Sequence, residues 1–430
     1  MAHWTRRQWM VHSVVSVSAP WILPARVLGR GGATPPSECI ILGGIGLGHR
    51  GQDVLRWMLQ QRDVRFVAIC DVQRVRREQV KAIVERTQGA GSCATYRDLR
   101  QFLAERTDVE AVLIATGDRW HALASVWAMR AGKDVYCEKP SSMTVAEGRA
   151  VVETARKYGR VYQTGTQRLS EPHHVTVFEL ARQGRLGRVH TAYAHIADGA
   201  TVMGVHWRGE EPLPPPEELD WDAWLGPCPW RPYHSSYVQG GWRGDDDFHT
   251  GAIGEWGAHT IAQCLQAIEP PCGPVRIVPA PNMSGDGCRL VFSNGITLVL
   301  EQGRRRWRGA CGEWIEGDEG YAAAADGYSQ PHVSSPALLR ESSRLLSAYR
   351  LRTGRALDHV RNFLDCVRRR EDPVANAEVM HRSMSLVHAA NIAQRLQREL
   401  VYDWPKDHFV DAPDADRYLS RAQRAPWTMG

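Results

Sequence analysis

Several familiar sequence signals are absent from this chain, and each absence removes a class of protein. The ten cysteines are scattered, without a CxxC pair or any spacing typical of a zinc site. We therefore expect most of them to be small core residues, with a local bridge between Cys264 and Cys272 as the alternative if the protein is exported.

An excess of one charge is also missing. The chain carries 53 basic and 48 acidic residues, a net charge of +5, and the basic residues are dispersed apart from arginine runs at residues 304–306 and 368–370. No nucleic-acid-binding motif accompanies these runs, which are more typical of solvated faces. We therefore expect no nucleic-acid partner.

The sequence also lacks a long hydrophobic run. Near the amino terminus, Arg6 and Arg7 precede an apolar stretch at residues 11–23 that is too short and too polar for a good membrane span. This arrangement resembles a Tat export signal over residues 1–34, with cleavage between about residues 25 and 37. We expect a periplasmic or exported protein without a stable membrane span; an amphipathic cytosolic leader is the alternative.

What is present is an ordinary globular composition. Of the 430 residues, 43% are hydrophobic and 23% are charged. This length and composition are sufficient for two domains with separate cores.

A glycine pattern predicts a dinucleotide-binding domain over residues 37–160. Residues 39–45 form an apolar, strand-like run, and Gly46, Gly48 and Gly51 follow it as GxGxxG ahead of a helical segment at 52–61. The first glycine permits a tight turn, the second lets the backbone approach a pyrophosphate, and the third lets the helix lie close to the strand. The phosphates would then meet the amino terminus of that helix.

The end of the second predicted strand indicates which dinucleotide is bound. Residues 64–70 form this strand, and Asp71 follows it, 25 residues after Gly46. A carboxylate at this position accepts hydrogen bonds from both ribose hydroxyls and repels a 2′-phosphate, so NAD is favoured. Arg74 and Arg76 are close in sequence and leave NADP as the alternative.

The first predicted catalytic residue is Lys139, which lies between Glu138 and Pro140 at the end of a later strand. An ammonium beside a carboxylate can hydrogen-bond a substrate hydroxyl and exchange a proton with it. A Glu-Lys pair is more often a solvated surface pair. Ligands of such sheets bind outside the carboxyl ends of the strands, however, so Lys139 would share one crevice with Gly46, Asp71, Thr116 and His121.

Residues 161–350 have a different pattern, which predicts an α+β domain with a largely antiparallel, open sheet. Strand-like segments dominate there, and Asn294-Gly295 marks one hairpin. A proline-rich loop at 211–218 opens a tryptophan-rich insertion that includes Trp242. Aromatic residues at this density can stack on sugar rings, although burial as loop anchors is the commoner use. The predicted fold class is therefore α/β followed by α+β.

Glu255 and His259 form a second chemical group. They are four residues apart in a glycine-rich helical segment, so they share one helix face. A single helical histidine is more often structural than catalytic. His173-His174 and the aspartates at 245–247 raise the question of a metal, but no complementary ligand spacing accompanies them, and we predict no metal site.

These motifs together resemble the Gfo/Idh/MocA family of nicotinamide-dependent sugar oxidoreductases. The likeness rests on GxGxxG, on Thr116 with His121, and on Glu138-Lys139-Pro140, in this order. Residues 221–227, 240–243 and 419–427 further resemble a secreted, Tat-exported branch of the family found in planctomycete-like bacteria. The resemblance implies a homo-oligomer and C-terminal helices, over residues 355–430, that pack back on the Rossmann domain.

The resemblance also implies roles for individual residues. Lys139 and His259 would form a proton relay, and Glu255 would orient the histidine or bind a hydroxyl. Substrate contacts would come from Gln167, Arg168 and Trp242. The cofactor would be bound by Gly46, Gly48, His49, Arg50, Gly51, Asp71, Thr116, His121 and Glu138.

The implied function is an NAD(P)-dependent oxidoreductase acting on a ring hydroxyl of a sugar or cyclic polyol. The alternatives are an NAD-dependent glycoside hydrolase, which works by transient oxidation and elimination, and a non-catalytic sugar sensor that binds the cofactor. The chain departs from the family at Glu255 and Ala262, where aspartate is usual or frequent, and at Gly117, where proline is usual. These departures leave the substrate and the proton-transfer assignment open.

Overall fold

A computed structural model of the protein describes residues 35–285, 287–303 and 306–430. The predicted export signal at residues 1–34 lies outside the described residues, as do two of the three arginines in the run at 304–306. Within the described residues, no helix is both long enough and apolar enough to cross a membrane.

The amino-terminal domain is built on a six-stranded parallel sheet. Its strands are β1 (Ile40–Ile45), β2 (Val64–Cys70), β3 (Ala94–Tyr96), β4 (Ala111–Ile114), β5 (Asp134–Cys137) and β6 (Tyr162–Thr164). The helices of this domain are α1 (His49–Leu59), α2 (Arg74–Gln88), α3 (Leu99–Glu105), α4 (Asp118–Arg130) and α5 (Val145–Tyr158). The strand order β3-β2-β1-β4-β5-β6 reverses between β1 and β4, which opens a crevice at their carboxyl ends.

Local sequence explains where these elements begin and end. All residues of β4 and β5 are buried, as expected for strands covered by helices on both faces. Thr144 begins α5 by accepting a hydrogen bond from the backbone of Glu147, and Gly159 ends the helix with a φ of +58°. The predicted parallel α/β domain is confirmed.

The second domain contains a nine-stranded sheet. Its strands are β7 (Val189–Ile196), β8 (Pro274–Val278), β9 (Cys288–Val291), β10 (Thr297–Gln302), β11 (Glu313–Gly317), β12 (Gly320–Ala324), β13 (His332–Val333), β14 (Leu400–Asp403) and β15 (His408–Phe409). Only β7 and β10 pair in parallel, and the other ladders of this sheet are antiparallel. The mainly antiparallel sheet is therefore confirmed, as is the β9–β10 hairpin, in which Gly295 has a φ of +85°.

Eight further helices complete the described chain. They are α6 (Pro172–Arg182), α7 (Trp221–Leu225), α8 (Ser235–Val238), α9 (Gly251–Ile268), α10 (Ser342–Thr353), α11 (His359–Arg369), α12 (Ala377–Leu396) and α13 (Pro413–Asp416). Helices α6, α9 and α12 pack their apolar side chains against the second sheet and form one large core with it.

The C-terminal segment divides between the two domains. Phe363 and Leu364 of α11 join the core of the first domain, whereas Met384 and Val387 of α12 join the core of the second. The sequence pattern predicts a helix over residues 376–400, but α12 ends at Leu396 and β14 begins at Leu400. The helix stops there because Gln397 adopts a φ of +48°, and the following residues pair with β8.

The tryptophan-rich insertion packs onto the first domain next to Asp71. Its loop accepts hydrogen bonds at the carbonyls of Pro216, Glu217 and Glu218 from residues of the first domain. Its aromatic residues form a buried cluster with Leu219, Leu225 and Cys228, and the cluster comprises Trp221, Trp224, Tyr237 and Phe248. These aromatic side chains are therefore anchors of the insertion rather than an exposed sugar platform.

The first two glycines of GxGxxG differ in backbone conformation and in the space available for a side chain, and stability measurements can detect this difference. Gly46 has a φ of +65°, and a Cβ there would lie 2.2 Å from Thr116 Cγ2. We expect Gly46→Ala to lower the free energy of unfolding by about 2 kcal/mol because both the backbone and the contact are strained. Gly48 has a φ of −68° and no atom within 4 Å of such a Cβ, so Gly48→Ala is the matched control. Denaturant unfolding of both variants checks this, and equal losses of stability would contradict it.

Candidate active site

A cavity of about 340 Å³ lies at the carboxyl ends of β1, β2 and β4, under the insertion. The structure brings together here most residues predicted to bind a cofactor. They are Gly46, Gly48, His49, Arg50, Asp71 and Thr116. The insertion contributes Trp224, Gly240 and Trp242 to the opposite wall, so Trp242 faces the predicted cofactor cavity.

The glycine-rich turn fits a dinucleotide pyrophosphate. Gly48 faces open space at the amino terminus of α1, where a side chain would occupy room needed by phosphate. A Cβ at Gly51 would lie 2.8 Å from the Cβ of Ala115, so this glycine lets α1 approach the end of β4. Each glycine therefore meets a separate steric demand, as the sequence pattern predicts.

Asp71 and Arg76 lie at the end of the cavity where a ribose would bind. Asp71 is buried and accepts a hydrogen bond from the backbone of Gln73 at 2.9 Å, and burial raises its pKa to about 6. Arg76 lines the cavity. Arg74, by contrast, is paired with Glu218 at 3.2 Å. Of the two arginines, Arg76 is therefore the one that faces the cavity.

Lys139 is held by a residue of the second domain. Its Nζ lies 2.5 Å from Glu255 Oε1 and 3.1 Å from the Glu255 carbonyl oxygen. The other carboxylate oxygen of Glu255 lies 2.9 Å from Nε2 of His249. Because His249 Nδ1 accepts a hydrogen bond from the backbone of Gly251, Nε2 is the nitrogen that donates to Glu255. Lys139, Glu255 and His249 thus form one hydrogen-bonded chain.

Asp118 extends this chain into the first domain. Its Oδ2 lies 3.8 Å from His249 Nε2 and is buried without a hydrogen-bond partner among the described residues. Burial raises the pKa of Asp118. For Glu255, burial also favours the neutral form, but the hydrogen bond from His249 and the charge of Lys139 outweigh it and lower the pKa well below its usual range. Glu255 is therefore the ionised partner of the Lys139 ammonium.

A second cavity, of about 660 Å³, adjoins this chain. Its wall includes His249, Glu255 and Trp256. Arg243 lines both this cavity and the one beside the glycine-rich turn. Glu255 and His249 therefore face a space suited to a second ligand, and Arg243 links that space to the one beside the glycine-rich turn.

His259 is placed differently from its sequence-based role. Its Nε2 lies 3.5 Å from Arg168, its Nδ1 has no hydrogen-bond partner among the described residues, and its side chain is buried. Burial and the nearby positive charges of Arg168 and Lys139 lower the pKa of His259 well below its usual value. Glu255 contacts Lys139 and His249 through its two carboxylate oxygens, and neither is a contact with His259. A substrate hydroxyl as a further partner of Glu255 stays a prediction.

Three other predicted site residues make internal contacts. Gln167 donates hydrogen bonds to Glu138 and to the Tyr136 hydroxyl, at 2.8 and 2.9 Å. Arg168 forms a forked ion pair with Asp326. The ring nitrogens of His121 lie 2.7 Å from the Pro140 carbonyl and 3.2 Å from the Thr116 carbonyl. His121 therefore fixes the segment that carries Lys139 against the end of β4.

Three residues of this site, His249, Asp118 and Arg243, are not among those predicted from the sequence. A signal for His249 existed, since it immediately precedes the glycine-rich segment that contains Glu255. Asp118 resembles an ordinary acidic residue in the first turn of a helix. Only the packing of the insertion against the first domain brings these residues together.

Two sequence models of one family match most of the chain. Residues 41–166 match the Gfo/Idh/MocA oxidoreductase model described as an NAD-binding Rossmann fold. Residues 200–429 match the model of the oxidoreductase family's C-terminal alpha/beta domain.

Individual relatives share part of the sequence. Glycosyl hydrolase family 109 protein 1 of Bacteroides fragilis is 30% identical over 192 residues, which are 43% of this chain and 41% of the relative. Inositol 2-dehydrogenase of Salmonella paratyphi B is 30% identical over 160 residues, 37% of this chain and 46% of the relative. The matches thus span less than half the length of these curated relatives.

Solved structures share the fold. An aldose-aldose oxidoreductase of Caulobacter crescentus, complexed with glycerol, superposes with a TM-score of 0.57 at 17% identity, covering 84% of this chain and 99% of that protein. The WlbA dehydrogenase of Bordetella pertussis, in complex with NADH and UDP-GlcNAcA, gives 0.58 at 16% identity, covering 84% and 98%. Identities this low establish the fold alone.

Asp71 should make cofactor preference depend on pH. Its carboxyl group is ionised above a pKa of about 6, so discrimination against the 2′-phosphate should be present above that pH and lost below it. Between about pH 8 and pH 5 we expect the NAD-to-NADP affinity ratio to fall about tenfold, the scale of one charge-assisted hydrogen bond. Calorimetric titration with each dinucleotide measures the ratio.

The controls separate Asp71 from other titrating groups. The 2′-phosphate itself titrates near pH 6, and Asp71→Asn should leave only that part of the pH dependence. Asp53→Asn removes an exposed carboxylate of α1 outside the cavity and should behave as wild type. An unchanged profile in Asp71→Asn would remove Asp71 from cofactor selection.

Proposed function

We propose, because the chain belongs to the Gfo/Idh/MocA oxidoreductase family, that it transfers a hydride between NAD and a ring hydroxyl of a sugar or cyclic polyol. The observation that carries this proposal is the hydrogen-bonded chain of Lys139, Glu255 and His249. Glu255 and His249 line the second cavity, which shares Arg243 with the cavity beside the glycine-rich turn. This hydrogen-bonded chain provides a proton-transfer group beside a dinucleotide site, as alcohol oxidation requires.

The residues of the cavity would bind NAD in a defined orientation. The glycine-rich turn and the amino terminus of α1 would hold the pyrophosphate, and Asp71 would accept hydrogen bonds from the ribose hydroxyls. Bound NAD supplies the hydride acceptor for the alcohol carbon.

Lys139 is the group that would handle the hydroxyl proton. As the alcohol becomes a carbonyl, its proton would pass to Lys139 Nζ while a proton already on Nζ moves to Glu255 Oε1. Glu255 would then release that proton to solvent, because its pKa lies well below the usual range. In the reverse direction the ammonium donates a proton to the carbonyl oxygen. The lowered pKa of Glu255 keeps this pair charged between turnovers. His249 would position Glu255 through its second oxygen.

A second candidate, an NAD-dependent glycoside hydrolase, is favoured by one observation. The chain shares 30% identity over 192 residues with a glycosyl hydrolase family 109 protein. Transient oxidation of a ring hydroxyl, elimination of the aglycone, addition of water and re-reduction would use the same proton-transfer group and leave NAD unchanged overall. The site therefore serves either outcome, and product analysis must distinguish them.

We also propose export of the folded, cofactor-loaded protein. The support is the twin arginine at residues 6 and 7 and the apolar stretch that follows it. Free NAD is scarce outside the cytoplasm, so a cofactor that is retained and recycled would suit either chemistry.

A sugar and polyol screen tests the proposed function. Purified protein would be incubated with NAD and a panel of free sugars, cyclic polyols and p-nitrophenyl glycosides, while NADH and nitrophenol are followed separately. The oxidoreductase should give NADH without aglycone; the hydrolase should give aglycone without net NADH. Binding of NAD and sugar without either product would identify a sensor, and failure to bind any nicotinamide dinucleotide would refute the proposal.

Replacement of Lys139 tests the mechanism. We expect Lys139→Met to reduce turnover at least about 100-fold, the usual scale for loss of general acid-base catalysis, with the Kd for NAD nearly unchanged. Steady-state kinetics and calorimetry measure the two effects. Lys406→Met is the control, because Lys406 is exposed and pairs only with Asp403 nearby. Turnover that survives in Lys139→Met would remove this lysine from the chemistry.

A further inference from the structure

A second group of donor atoms lies at the start of α6, away from Lys139. Glu171, His173 and His174 contribute one carboxylate and two imidazoles. Glu171 Oε2 lies 3.8 Å from Nε2 of His173 and 3.9 Å from Nε2 of His174. Although Glu171 is the N-cap residue of α6, its side chain makes no capping hydrogen bond. Its carboxylate is therefore available to a ligand.

Both histidines present a buried nitrogen that the described residues do not satisfy. Nε2 of His173 and Nε2 of His174 are buried without a hydrogen-bond partner in this part of the chain, and the His174 side chain is fully buried. Buried polar atoms in proteins almost always have a partner. Two such atoms facing one carboxylate point to a bound cation.

The other ring nitrogen of His174, Nδ1, is hydrogen-bonded to a carboxyl group, as is usual for histidines that bind metals. This nitrogen lies 2.8 and 2.9 Å from the two carboxylate oxygens of buried Glu313. Gln263 Nε2 lies 3.0 Å from the Cys311 carbonyl, 2.9 Å from Glu313 and 3.0 Å from His174 Nδ1. With the two N–H protons of Gln263 on the two oxygens, the His174 ring is the other donor to Glu313. His174 thus donates through Nδ1 and directs the Nε2 lone pair toward Glu171, the carboxylate–histidine–metal arrangement.

We propose that Glu171, His173 and His174 bind a divalent transition metal, with zinc as the best fit. Two imidazoles and one carboxylate are a common zinc ligand set, with bonds of about 2.0–2.2 Å and therefore donor atoms about 3.4 Å apart in a tetrahedron. Glu171 lies 3.8 and 3.9 Å from the two histidine nitrogens, and all three donor atoms lie within 4.8 Å of one another, so coordination requires the side chains to move by up to about 1 Å. Glu171 also lines a surface cavity, which would let water or a small ligand complete the coordination.

The electrostatics of the group are consistent with a cation. Burial lowers the pKa of His174 to about 4 and also lowers that of His173, so both rings are neutral and able to coordinate near pH 7. The nearby guanidinium of Arg168 is paired with Asp326, which reduces its repulsion.

The three residues of the proposed metal site are not those of the proposed proton transfer, which uses Lys139, Glu255 and His249. Asp118, His249 and Glu255 also place donor atoms close together, but Lys139 already supplies the cation that Glu255 binds. The sequence-based prediction of no metal site rested on the lack of complementary ligand spacing around His173-His174. The complementary ligand is Glu171, two residues before His173.

Metal binding can be measured on the full-length, tag-free protein after chelation and dialysis. Cobalt(II) titration should produce the visible ligand-field absorption of a low-symmetry site, and zinc should displace it at one equivalent per chain. His174→Ala and Glu171→Gln should each weaken binding at least about tenfold, and Glu313→Gln by about 10- to 100-fold, the range for outer-shell partners.

The controls locate the site. His190→Ala removes an exposed histidine and should bind cobalt as wild type does, as should Glu255→Gln, which alters the other carboxylate–histidine group. Glu171→Gln keeps the shape of a partly exposed side chain, so its circular dichroism should match wild type and its result does not depend on refolding of His174→Ala. No cobalt or zinc binding, or binding unaffected by Glu171→Gln, would overturn the proposal.

Discussion

The ion pair between Lys139 and Glu255 joins the two domains beside the cavity that Glu255 and His249 line. Lys139 follows β5 of the first domain, whereas Glu255 lies in α9 of the second. Their side chains are 15% and 26% exposed, so the pair is largely desolvated and requires further hydrogen bonds to be favourable. His249 provides one of these hydrogen bonds. The position of Lys139 in the proposed reaction depends on this hydrogen-bonded pair.

The first domain was the most predictable part because local chain geometry determines it. Gly46 occupies a backbone conformation that favours glycine, and Gly51 lies where a side chain would meet β4. Asp71 follows the second strand directly. These constraints act over a few residues, so a motif in the sequence is enough to identify them.

The hydrogen-bonded chain of Lys139, Glu255 and His249 was less predictable because its members come from separate elements. The i, i+4 spacing placed Glu255 and His259 on one helix face, but helix geometry does not determine which donors from outside reach a carboxylate. Lys139 and His249 reach Glu255 through the packing of the insertion. Leu400 was misassigned for a similar reason: its pattern suits a helix, yet pairing with β8 makes it a strand.

The insertion connects these observations, since it contributes to both cavities and holds the domains together. Arg119 of the first domain donates two hydrogen bonds to the Trp224 carbonyl and stacks on its ring at 3.7 Å. Arg231 and Asp245, both buried, form an ion pair inside the insertion, close to His249 in sequence. Trp224 and Trp242 line the cavity beside the glycine-rich turn, and the buried aromatic residues of the insertion act as its anchors. By fixing the insertion against the first domain, they set the position of His249, and through it the orientation of the carboxylate that holds Lys139.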